Sequence, residues 1–89
     1  MEADRFVEIL SDDDTPTDLL SEPGCNALKG LTLIAKYLPL KGIEAASHDM
    51  ICACGVDELC EAGITEEDAK KLRRLNWMTE GDDYLACFV

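Results

Sequence analysis

The run ITEEDAKKLRRLNW, Ile64 to Trp77, constrains this chain more than any other stretch. Thr65 is placed to cap a helix, with Asp68 three residues on at the spacing of a capping box, and Ile64 and Ala69 hold the hydrophobic-staple positions. Glu66–Lys70 and Glu67–Lys71 are i,i+4 pairs with the acid first, each contributing about 0.2–0.5 kcal/mol. Acids lead and bases follow, which complements the helix dipole. Ala69, Leu72 and Leu75 form the stripe to be buried. The next residues, WMTEGDDYLACFV, predict a hairpin: Trp77–Thr79, a turn over 80–83 around Gly81, and Tyr84–Val89. Alternation points Tyr84, Ala86 and Phe88 one way and Leu85, Cys87 and Val89 the other.

Upstream, Asn26 is placed as an N-cap, and Leu28, Leu31, Ile34, Ala35 and Leu38 recur at helical spacing, which predicts a core helix near 26–38 ended by Pro39. Gly30 is its weak point, costing about 1 kcal/mol relative to alanine. KGIEAAS then reads as a connector, and DMICACG as a buried strand over 49–54 with Cys52 and Cys54 on one face and Ile51 and Ala53 on the other. Val56, Leu59 and Cys60 suggest one or two helical turns ended by Gly63. At the N-terminus, Phe6, Val7, Ile9 and Leu10 predict a short helix or an arm. In SDDDTPTD, either Ser11 or Asp14 starts a short helix with Pro16 in its first turn, or the segment is a solvated acidic connector. The expected architecture is α+β: a small three-stranded, mainly antiparallel sheet with two or three helices packed on it. It divides into an acidic N-terminal arm or short helix over 1–25 and a compact domain over 26–89.

At 89 residues there is room for one domain, and 47% apolar residues suffice for a core. The longest apolar run, Leu31–Leu40, is interrupted by Thr32, Lys36 and Pro39, well short of the roughly 20 residues a membrane span needs. The start is acidic where a secretory leader would be basic, so a cytoplasmic protein is expected. A net charge of −11 opposes any affinity for nucleic-acid phosphates and favours a basic partner surface. The acids cluster: residues 1–22 hold eight Asp or Glu against Arg5 alone.

The segment HDMICACGVDELC carries one histidine and three of the five cysteines, the residue types of a zinc site. Structural zinc is usually held by C-x₂₋₄-C pairs. Cys52 and Cys54 form C-x-C, whose sulfurs on a strand lie about 7 Å apart, and no second pair exists to complete a tetrahedron. An odd count in a reducing compartment also argues against a disulfide framework. Cys25, Cys52, Cys54, Cys60 and Cys87 read as packed thiols; no cofactor or metal is expected, and a zinc module using His48 and the cysteines is the alternative. A His48–Cys52 nucleophile pair is disfavoured, because an extended chain separates them by more than about 10 Å and the setting is acidic. The acid pairs Asp12–Asp14, Asp57–Glu58 and Asp82–Asp83 sit in polar turns and read as solvated, so no enzyme is expected. KKLRR, with four of the eight basic residues, is accounted for by the helix dipole and i,i+4 pairing.

The series A-L-x-G-L-x-x-I-x-K-Y at 27–37, H-D at 48–49, T-E-E-D-x-x-x-L-x-x-L-x-W at 65–77 and D-x-Y-x-x-x-F at 82–88 resembles small accessory proteins of phages and prophages. Asn76 stands where glycine is expected before the tryptophan, and Tyr84 where tryptophan is commoner. The resemblance implies an anti-defence role, such as an anti-CRISPR inhibitor that binds a host protein or ribonucleoprotein complex through an acidic, DNA-mimicking surface. Asp12, Asp13, Asp14, Asp18, Asp82 and Asp83 are the expected contacts. A homo-oligomeric accessory protein, such as a homodimer packed across Trp77 or Phe88, is the other alternative.

Overall fold

A computed structural model describes residues 1–12, 23–40, 43, 45–47, 49–81 and 83–88. In chain order these form α1 (Ala3–Leu10), α2 (Pro23–Tyr37), β1 (Ala45–Ser47), β2 (Met50–Gly55), α3 (Val56–Glu61), α4 (Glu66–Arg74), β3 (Trp77–Glu80) and β4 (Tyr84–Phe88). The α+β class holds, but the sheet has four antiparallel strands, in the order β1-β2-β4-β3. The strand missed from the sequence is β1, inside the stretch expected to be a connector. It has three residues, two of them alanine, and carries no β-propensity of its own. What makes it a strand is pairing with β2, Ala46 opposite Ile51.

The register explains the core. Trp77 pairs with Cys87, which pairs with Ile51, so three buried side chains stand in a row across the sheet. Phe6 and Leu10 of α1, Ala27 and Ile34 of α2, Leu59 of α3 and Leu72 of α4 join this row in one cluster. Cys52, Ala86 and Met78 form the parallel row on the opposite face. Strict alternation fails at one place. The β2–β4 register shifts between Cys52 and Gly55, and Cys54 enters the core cluster beside Ala53. Such a bulge breaks the two-residue period, so the expectation that Cys52 and Cys54 share a face is corrected.

The helix α4 follows its sequence. Thr65 Oγ1 accepts the Asp68 N–H at 3.2 Å, and Ile64 and Ala69 are buried. Two expected partnerships change. Asp68 does not complete a capping box; its carboxylate turns to α2. Glu66 turns to Arg5 of α1. The helix ends at Arg74, with Leu75 as its C-cap, followed by Asn76 with φ +65°. That left-handed conformation is what glycine ordinarily supplies after a helix and what asparagine tolerates. It accounts for an asparagine standing where glycine was expected.

The helix α2 departs further. It starts at Pro23, so Asn26 is a buried residue of the first turn and not the cap. The buried face runs through Ala27, Gly30 and Ile34, while Leu28, expected in the stripe, is 65% exposed. The Trp77 indole lies against Gly30 on this face. A Cβ there would fall 1.8 Å from Trp77 Nε1, and that same N–H donates to the Asn26 carbonyl at 3.3 Å. The chain's one tryptophan, fully buried, therefore selects which side of α2 faces the sheet.

Candidate functional site

The β2–β4 ladder brings together two acidic stretches far apart in sequence. Gly55 pairs with Tyr84, and the Val56 N–H donates to the Asp83 carbonyl at 2.8 Å. The start of α3 therefore abuts the turn of the β3–β4 hairpin. Gly81 gives that turn its positive φ of +62°. Between them lies an open cleft of about 270 Å³ lined by Gly55, Asp57, Glu58, Asp83 and Tyr84. Among the described residues, three of the five that line it are acidic and none is basic. Glu58 is partly engaged, since Oε1 accepts the Gly55 N–H at 3.1 Å. Glycine has no side chain to return the bond, so this is half of a capping box. Asp57 and Asp83 are exposed, and half of Tyr84 is solvent-accessible at the rim.

Of the six acids expected to contact a partner, Asp83 is in this cleft. Asp12 is exposed just beyond α1, its carbonyl accepting from Arg73 Nε at 2.9 Å. Asp13, Asp14, Asp18 and Asp82 lie outside the described residues, as does His48. Asp57 and Glu58 were passed over as solvated turn acids. Only the observed register, with 49–54 antiparallel to the last strand and Gly55 opposite Tyr84, sets 55–58 beside the turn.

Elsewhere, cations are drawn into the fold. Arg5 spans Glu8 at 2.7 Å and Glu66 at 2.6 Å, binding α1 to α4. Lys36 Nζ lies 2.6 Å from Asp68 Oδ2, and the Tyr37 hydroxyl donates to the same oxygen. The Lys36 and Tyr37 hydrogen bonds hold the Asp68 carboxyl below its ordinary value of 3.8, against the opposing effect of burial. Lys71 stands 3.7 Å from the other Asp68 oxygen and 3.8 Å from Glu67. None of these cations lines the Asp57–Asp83 cleft.

The cysteines are dispersed. Cys54 and Cys87 are buried, Cys52 and Cys60 half-buried, and Cys25 exposed. Burial pushes the Cys87 and Cys60 thiols up, and Asp57 adds to the rise at Cys60, so neither favours a thiolate. Among the described residues, no three of His, Cys, Asp and Glu stand close enough together to hold a metal ion. Nor, among them, is any helix long and apolar enough to cross a membrane. No protein family, curated protein or solved structure matches the chain.

Proposed function

We propose that this chain is a non-enzymatic, stoichiometric binding protein whose acidic surface occupies a Lys/Arg-lined face of a protein or ribonucleoprotein and excludes nucleic acid from it. In biological terms this is an anti-defence inhibitor of the anti-CRISPR type, cytoplasmic in the host. The observation that carries the reading is the convergence of Asp57, Glu58 and Asp83 in one cleft that no cation lines among the described residues, in a chain of net charge −11. Carboxylates gathered at the start of α3 and in the β3–β4 turn present clustered negative charge, as a phosphate backbone does, and steer a basic surface toward it. Tyr84 adds an aromatic rim on which a guanidinium can stack. Asp12, Asp13, Asp14, Asp18 and Asp82 extend the same acidic character along the chain.

The test is affinity capture from host lysate at low and high salt, comparing wild type with Asp57→Lys/Asp83→Lys. Glu58 is left in place because it caps α3. The expected result is a nucleic-acid-binding partner held at low salt, released at high salt, and bound at least tenfold more weakly by the variant. Capture that is indifferent to both salt and charge reversal would sink the reading.

A further inference from the structure

The acidic cleft has a counterpart of opposite sign. Leu33 of α2 and Lys71, Arg74 and Leu75 of α4 line a groove of about 210 Å³ along the seam between the two helices. Leu33 and Leu75 are half-buried, with inner surfaces packed on the core and outer surfaces forming an aliphatic floor. Lys71 is held only by its 3.7 and 3.8 Å contacts, and Arg74 has no ion pair among the described residues. Lys29 and Lys36, both exposed, stand four residues before and three after Leu33, on the same line of α2. Two cations thus border two leucines, with Lys29 a turn away along α2 and Lys36 engaged by Asp68. The groove lies at the end of β3 opposite the acidic cleft, separated from it by about 13 Å of strand.

The helix dipole explains cations in the last turn of α4. It explains neither Lys29 in the middle of α2 nor the aliphatic floor between the helices. We propose that this seam docks an acidic, leucine-bearing peptide segment of a protein partner, with its aliphatic side chains on Leu33 and Leu75 and its carboxylates on Lys71 and Arg74. The volume is below the roughly 300–1,000 Å³ of a small-molecule site, which suits a few side chains of a larger ligand. A nucleic acid fits poorly. Among the described residues the groove is lined by no aromatic side chain on which a base could stack. This surface is separate from the acidic cleft, and the molecule is bipolar.

The proposal is tested by selecting peptides from a random library on the immobilised protein, then titrating a selected peptide into wild type and into Lys71→Gln/Arg74→Gln. Both positions are exposed and the Lys71 ion pairs are long, at 3.7 and 3.8 Å, so the variant should stay folded and unfold close to wild type. The expected outcome is enrichment of Asp and Glu with Leu or Ile. Binding should weaken at least tenfold in the variant, with amide shifts at Leu33, Lys71, Arg74 and Leu75. Asp57→Lys/Asp83→Lys should leave the peptide affinity unchanged, which separates this surface from the one that carries the proposed inhibition. Selected peptides without acidic character, equal binding to the glutamine variant, or tighter binding of a 20-nucleotide single strand would each overturn it.

Discussion

The helices α2 and α4 pack side by side and acquire their structure in opposite ways. In α4 almost everything is local. Thr65 caps it, acids and bases sit at the dipole ends they favour, and of the expected stripe Ala69 and Leu72 are buried while Leu75 is half-buried. In α2 the local signals mislead. Its proposed cap is buried, one of its expected core leucines faces water, and its apparent weak point, Gly30, is where the tryptophan packs. A helix with strong end signals and a narrow apolar stripe has one orientation available. A helix with apolar residues on most sides has several, and a large neighbour chooses among them.

Gly30→Ala tests this contrast most severely. Helix propensity alone predicts about 1 kcal/mol of stabilisation. The indole at 1.8 Å predicts about 3 kcal/mol of destabilisation, the upper end for overpacking, and urea unfolding reads the sign directly. A gain in stability would mean that α2 does not depend on Trp77. Asp68→Asn comes next, because the Asp68 carboxylate reaches from α4 to Lys36 and Tyr37 of α2. Losing its charge-assisted hydrogen bonds should cost about 2 kcal/mol at neutral pH. The folded pKa is depressed, so this stabilisation is complete above the unfolded value and is lost as pH falls through the folded one. The gap between wild type and variant should therefore stay constant from neutrality down to about pH 5, then close on further acidification. A gap that is independent of pH would assign the effect to packing. Thr65→Ala should cost about 1 kcal/mol, since one α4 N–H loses its acceptor. Leu28→Ser should change stability by less than about 0.5 kcal/mol; a larger loss would return Leu28 to the buried face.

The candidate surface divides along similar lines. That the chain is acidic, and that acids flank Gly81, is plain from the residues. That Asp57 and Glu58 share a cleft with Asp83 depends on a strand pairing across some thirty residues, which no local pattern announces. The cysteine-rich stretch followed the reverse course. Its composition suggested chemistry, yet the bulge sends Cys54 into the core while Cys52 remains half-buried beside Ala86. The basic run at 70–74 has a local explanation for its charge. Its neighbour Leu33 arrives only with α2.

By itself, the sequence determined the α+β class, the α4 helix with its cap, the terminal hairpin turning at Gly81, and the strongly negative charge. Each rests on residues within a few positions of one another, where hydrogen-bond geometry and side-chain periodicity act without help. Tertiary structure alone decided the fourth strand, the rotation of α2, the capture of Asp68 by Lys36 and Tyr37, and the meeting of the two acidic stretches. Their common cause is that burying Trp77 and completing the β-ladder involve partners distant in sequence. Those long-range contacts outweigh the preferences of about 1 kcal/mol that a local segment expresses.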